Sequence, residues 1–315
     1  MPKVPVAALQ IGSDPAGKAA TLDRILAFET EIAASGARVL VLPEALLGGY
    51  PKGEAFGARL GYRTEAGRAA FARYFNNAVD LDGPEVAALA ALSDRTGATV
   101  IVGVVERAGS SLYCTALFLT PQDGLAAMHR KLMPTGTERL VWAQGDGSTL
   151  PVIDTPAGKA GAAICWENHM PLFRTAMYAK GVTLWCAPTV DERDVWRASM
   201  RHIAHEGRCF LISACQVQPS PAALGIAVEA WPDDRPLIAG GSMIVGPLGD
   251  VLAGPLEGET GLVAATIDPR DIVRARYDFD PVGHYARPDV FRLVVDETPH
   301  RSDSEIPAGE GGRTE

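Results

Sequence analysis

Short unbroken apolar runs alternate along this chain with longer stretches whose apolar residues recur every three or four positions. Residues 4–11 and 38–42 are runs of the first kind, the second closed by Pro43, and they predict strands. Between them, residues 18–35 place Leu22, Ile25, Leu26 and Ile32 at helical spacing. A second helix is predicted over 83–96, with Pro84 suited to its first turn. The runs ATVIVGVVE (98–106) and LYCTALFL (112–119) predict two more strands. The turn residues Ala108-Gly109-Ser110-Ser111 between them predict an antiparallel hairpin. Strand and helix then alternate: strand 158–164, helix 170–180 ended by Gly181, strand 182–187, amphipathic helix 194–206 and strand 209–217. Last come strands 242–245 and 261–267, with the turn Pro247-Leu248-Gly249-Asp250 between them. This pattern predicts one α/β domain over 1–295, built on a mixed sheet or a pair of sheets. Residues 296–315, rich in Pro, Gly, Ser and charge, are expected to form a mobile tail.

Composition narrows the class. The 315 residues are 47% apolar and 21% charged, with a mean hydropathy of +0.06, as in an ordinary globular protein. A net charge of -9 and scattered Arg and Lys argue against a nucleic-acid partner. No apolar run approaches the roughly 18–20 residues of a membrane span, and the opening MPKVPVAALQIG reads as a strand, not a signal peptide. Five Cys without a C-x-x-C pair fit a reducing compartment, so a cytoplasmic location is expected.

Three places put a reactive residue where a strand ends. Glu44 follows the run Val39-Leu40-Val41-Leu42-Pro43, at the kind of strand terminus where open α/β sheets hold ligands. A glutamate that only caps the next segment would look the same. His129-Arg130-Lys131 lies between apolar segments, an unusual setting for a solvated cation cluster, so one of these cations is expected to point inward. Cys165 follows the small and apolar residues Gly161-Ala162-Ala163-Ile164, with a helix soon after. A strand-to-helix turn would expose the sulfur and favour thiolate through nearby backbone N–H groups, although a buried structural Cys is the commoner fate. That commoner fate is expected for Cys114, Cys186, Cys209 and Cys215. Together the three places hold the parts of a thiol hydrolase without a histidine: a carboxylate base, a fixed cation and a nucleophile. Other motifs are incomplete. His202-Ile203-Ala204-His205-Glu206 has the wrong order for a zinc helix. Gly240-Gly241-Ser242-Met243-Ile244 lacks the last Gly of a serine elbow, and no nucleotide fingerprint is present. No metal or cofactor is expected.

At these residues the sequence resembles the nitrilase superfamily, in particular its true nitrilase branch. The stretches that carry the resemblance are VLPEALLGGYP (41–51), HRKLMPTGTERLVWAQGDG (129–147), GAAICWENHMPLFRTAMYAKG (161–181) and CAPTVDERDVWRASMRHIAHEGRCFLISACQ (186–216). They stand in the family's order and span most of the chain. Cys-Trp-Glu-Asn is the telling part, because amidase and carbamoylase relatives usually carry Tyr or His and then Asp after the nucleophile. The resemblance implies a catalytic triad of Glu44, Lys131 and Cys165, with Glu138 positioning the lysine and water, and the Trp166 backbone N–H stabilising negative charge. It implies an α-β-β-α sandwich that pairs into a four-layer α-β-β-α-α-β-β-α dimer or a larger homo-oligomer; the short tail argues against long filaments. It also implies a small nitrile substrate. Tyr50, Thr135, Trp142, Trp166, Pro188 and Thr189 are the candidate substrate-binding residues. An amidase, N-carbamoyl hydrolase or cyanide-hydrolysing enzyme would use the same triad.

Overall fold

The computed structural model describes residues 2–299. In its first half, β1 (Val4–Gln10), α1 (Lys18–Leu26), α2 (Glu29–Ser35), β2 (Val39–Val41), α3 (Glu65–Asn76), α4 (Pro84–Thr96), β3 (Thr99–Ala108), β4 (Ser111–Thr120) and β5 (Gly124–Arg130) follow one another. The second half contains β6 (Ile153–Thr155), β7 (Gly158–Ala162), α5 (Pro171–Ala179), β8 (Leu184–Thr189), α6 (Asp194–Gly207), β9 (Phe210–Cys215) and β10 (Val217–Gln218). It ends with α7 (Pro221–Leu224), β11 (Ile238–Val245), β12 (Val251–Glu257), β13 (Gly261–Ile267) and α8 (Arg270–Ala275).

Among the described residues the strands form two sheets. One runs β13-β1-β2-β3-β4-β5; the other runs β10-β11-β9-β8-β7-β6, with β12 added on β11. Both are mixed: β1, β2 and β3 are parallel, as are β7, β8 and β9, and antiparallel strands flank them. Period-two alternation sorts the side chains into three apolar layers. Val6, Ala8, Val39 and Val41 point between the sheets and meet Cys186, Ile212 and Ile244 from the other side. The alternate residues Ala7, Leu9 and Leu40 face outward onto Ile25, Ile32, Leu89 and Leu92 of α1, α2 and α4. On the opposite sheet Trp185, Ala187 and Leu211 face Phe173, Met177, Trp196 and Met200 of α5 and α6. Each central strand is therefore covered on both faces, which is why it reads as an unbroken apolar run. The result is the expected α-β-β-α sandwich.

The structure differs from the sequence reading at several elements. Residues 18–35 form two helices, interrupted at Ala27-Phe28. The run 209–217 divides at Gln216, whose side chain turns back to hold Glu44. The turn at 247–250 joins β11 to β12, an edge strand with exposed residues that carries no alternation signal. Elements α3, β5 and β6 also arise where the apolar pattern is weak. Most of the expected tail lies outside the described residues; its beginning forms no helix or strand and packs with the Asp296 carbonyl against Gly147 and Glu297 paired to Lys180. Among the described residues no helix is long and apolar enough to cross a membrane.

Candidate active site

Glu44 leaves the end of β2 in a turn pressed against β3. A Cβ on Gly103 would lie 2.5 Å from the Glu44 Cα, so only glycine lets the two backbones approach this closely. Ala45 next to it takes φ 47°, and from the other sheet the Gln216 side-chain amide donates to the Glu44 carbonyl at 2.7 Å. The carboxylate is fully buried. Its Oε1 accepts from Lys131 Nζ at 2.6 Å and lies 3.7 Å from the Cys114 thiol, while Oε2 has no hydrogen-bond partner among the described residues.

Lys131 comes straight off β5, two residues beyond His129, so both side chains turn inward while Arg130 pairs with Glu106. One side chain of the His129-Arg130-Lys131 cluster is expected to point inward; two of them, His129 and Lys131, are buried. Lys131 Nζ also donates to Glu138 Oε2 at 2.8 Å and stands 5.6 Å from the centre of the Trp142 ring. Glu138 is held in turn by the Tyr50 hydroxyl at 2.8 Å and the Thr135 backbone N–H at 2.7 Å. Burial drives the Glu44 carboxyl up from its ordinary 4.5 to about 7; Lys131 opposes this and Glu138 adds to it. Burial works against the Lys131 ammonium, yet Glu44 above all, with Glu138, holds it well above its ordinary value.

Cys165 opens a short 3-10 turn, Cys165–His169, between β7 and α5, and takes φ 49°. That left-handed backbone costs a non-glycine residue about 1 kcal/mol, and it turns the sulfur out of the strand direction. The Thr189 hydroxyl donates to the sulfur at 3.3 Å. The expectation of a resting thiolate is corrected here. Helix α5 starts only at Pro171, and burial together with Glu44 pushes the thiol well above its ordinary value, outweighing Lys131. The thiol form of Cys165 is therefore favoured over thiolate, so ionising it would call for a base.

A network absent from the sequence reading fixes the spacing of these parts. The Glu167 carboxylate accepts from the backbone N–H of Ile164 at 2.7 Å and of Leu132 at 2.7 Å, and from His129 Nε2 at 2.9 Å. It thereby ties the residue before Cys165 to the residue after Lys131. Asn168 donates to the carbonyls of Ala163 and Cys165 at 2.9 and 2.8 Å and accepts from Trp185 Nε1 at 2.7 Å, which locks the turn from behind. In sequence only the density of polar residues after the cysteine hinted at this.

A cavity of about 360 Å³ opens onto the sulfur and is lined by Tyr50, Lys52, Thr135, Glu138, Trp166, Asp191, Glu192, Arg193, Trp231 and Arg235 among others. Of the candidate substrate-binding residues, Tyr50, Thr135 and Trp166 line this cavity. Trp142, Pro188 and Thr189 are not on this wall. Trp142 is buried with its indole N–H on the Tyr74 hydroxyl, Pro188 is inside β8, and the buried Thr189 hydroxyl donates to the sulfur and accepts from the Asp191 backbone N–H. A larger cavity of about 660 Å³, between Phe56, Tyr62, Phe71 and Leu140, contains none of the reactive groups. The other motifs play no part here. His202 lies at the surface beside Glu206, and the Ser242 hydroxyl is buried against the Cys215 backbone N–H.

A family profile described as Carbon-nitrogen hydrolase matches residues 5–277. Over 303 residues the chain is 53% identical to a protein named aliphatic nitrilase from Sinorhizobium fredii, covering 95% of this chain and 97% of that one. It is 52% identical over 283 residues to a bifunctional nitrilase/nitrile hydratase from Nicotiana tabacum, covering 88% of this chain and 81% of the other. In structure it is similar to a CN-hydrolase superfamily protein from Xanthomonas campestris, with a TM-score of 0.68, 20% identity, and 89% and 96% of the two chains covered.

Proposed function

The chain belongs to the carbon–nitrogen hydrolase family, and on that premise we propose that it is a nitrilase converting an organic nitrile to the carboxylic acid and ammonia. The relatives named nitrilase over nearly the whole length favour a nitrile over an amide. The observation that carries the chemistry is a buried lysine shared by two carboxylates beside a buried thiol.

Glu44 takes the Cys165 proton as sulfur bonds to the nitrile carbon, and returns it to the nitrile nitrogen, giving a thioimidate. Lys131 and the Trp166 backbone N–H stabilise the negative charge that builds on nitrogen. Glu44 then removes a proton from water as it adds to the thioimidate carbon and passes it to nitrogen, with Glu138 orienting the water and Lys131; collapse of the tetrahedral adduct moves its hydroxyl proton to nitrogen as well. Ammonia departs, leaving a thioester, and a second water breaks the C–S bond to release acid and thiol. If the C–S bond of the first tetrahedral adduct breaks before the C–N bond, the amide is released instead.

The same reading extends to assembly and location. Pairing through the outer helices into a four-layer dimer is supported by the exposed Leu172, Val195, Val273 and Tyr277 on or beside α5, α6 and α8. A cytoplasmic setting is supported by five free, buried thiols. A panel of aliphatic and aromatic nitriles, with acid, amide and ammonia all quantified, tests the activity. Ammonia and acid from nitriles, lost in Cys165→Ala, is the expected result; amide hydrolysis without nitrile consumption would overturn the proposal.

A further inference from the structure

Lys52 is the one cavity-wall cation without an acceptor among the described residues. It follows the turn that carries Tyr50, and its neighbour Gly53, at φ 83°, lies flush against a second segment: a Cβ there would meet Val228 at 2.4 Å. That second segment supplies Trp231. Lys52 Nζ stands 4.8 Å from the centre of the Trp231 ring, and the Arg235 guanidinium stacks on the same ring at 4.6 Å.

The other charges of the wall are committed. Arg193 forks onto Asp191, with Nε at 2.8 Å, and Asp191 also accepts from Trp166 Nε1 at 3.0 Å. Glu192 accepts from the Ala239 backbone N–H and lies 3.4 Å from Arg235 Nη2. Glu138 is filled by Lys131, Tyr50 and Thr135. Lys52 is partly buried, and burial holds its ammonium below its ordinary value even though Glu192 opposes this. A partly desolvated ammonium that meets only an indole face has lost solvation without gaining a hydrogen bond, so an acceptor that arrives with the ligand is favoured there.

We propose that Lys52, seated on Trp231, selects nitriles that carry a carboxylate at the end remote from the cyano group. The cyano carbon meets Cys165 and the carboxylate meets the Lys52 ammonium, with Arg235 beside it. The proposal rests on the nitrilase reading for its chemistry, but the anion site can be tested without turnover.

The test compares a short series of ω-cyanoalkanoates with the matching ω-cyanoalkanamides, which differ in charge but hardly in shape. In the wild type, kcat/KM for the best acid should exceed that of its amide by about tenfold or more, the size expected of one charge-assisted hydrogen bond. Lys52→Met should bring the ratio toward one, and Lys52→Arg should keep most of it. Calorimetric binding of the same pairs to Cys165→Ala, with and without Lys52→Met, should follow the same order. A wild-type ratio near one, or an unchanged ratio in Lys52→Met, overturns the proposal and leaves the nitrilase reading standing. Lysine-dependent binding of the carboxylates with no nitrile consumed would sink the nitrilase reading and leave the anion site standing.

Discussion

Lys131 donates to Glu44 at 2.6 Å in a place where neither side chain touches solvent. A buried ion pair of this kind contributes little net stability, because desolvation offsets the attraction. Its effect is on titration. Burial lifts the Glu44 carboxyl from 4.5 to about 7; Lys131 holds back part of that rise, and Glu138, on the same lysine, adds to it. A base that titrates near neutrality can both take a proton from the Cys165 thiol and give it back.

Glu44 must be ionised to accept that proton, so kcat/KM should fall about tenfold per pH unit below about 7. The stability effect has the opposite sense. A carboxyl whose folded pKa is raised favours the folded state below 4.5, and that contribution is lost as pH rises to about 7. Glu44→Gln should be folded and at least about a thousandfold slower, and its melting temperature should fall less than the wild type's between pH 4.5 and 7. A pH series of melting curves and a pH–rate profile check both halves.

Glu138 pushes Glu44 upward, so removing its charge should move the acid limb of the pH–rate profile to lower pH. Glu138→Gln also loosens the hold of Tyr50 and Thr135 around Lys131, and turnover should drop by about a hundredfold. A rate loss with an unmoved acid limb would show that Glu138 acts only through geometry.

His129 faces acceptors at both ring nitrogens: the Thr149 carbonyl at 2.6 Å from Nδ1 and Glu167 at 2.9 Å from Nε2. Only the imidazolium donates to both. Burial opposes this charge, but Glu167 and Thr149 raise the ring's pKa above its ordinary 6.5. Its stabilisation is therefore complete below 6.5 and is lost as pH rises through the raised value. His129→Gln should lower the melting temperature more at pH 6 than at pH 9; equal losses would mean that the ring acts by packing against Phe173 alone.

Much of this was legible in sequence for a physical reason. Strands covered on both faces, such as β2, β3 and β9, have no polar alternation to obscure them. The residues Glu44, Lys131 and Cys165 sit at strand ends, where a reactive side chain interrupts an apolar run. What escaped was carried by distant pairing or by loops. His129 and Glu167 are 38 positions apart, and no local pattern joins them. The apolar-looking Trp142 and Pro188 are behind the site, because its wall is built from Lys52, Trp231 and Arg235 in segments without periodicity. β12, with its exposed residues and a Pro within it, resembles a loop in composition.

Asn168 offers a test of how the turn at Cys165 is held. Its amide N–H groups serve two carbonyls, one of them that of Cys165 itself, and its oxygen takes the Trp185 indole N–H. Asn168→Asp is nearly isosteric but replaces the donor with an acceptor facing two buried carbonyl oxygens. Both donated bonds are lost and a charge or a forced proton is buried, a cost of about 2–4 kcal/mol. Asn168→Ala removes the same bonds without adding repulsion and should cost less, about 1–3 kcal/mol. Urea denaturation of the two variants should give that order. Turnover should fall in the same order, because Cys165 keeps its strained φ only while the turn behind it is held. If Asn168→Asp matches the wild type in stability, the turn is secured by Glu167 and its two backbone N–H partners alone.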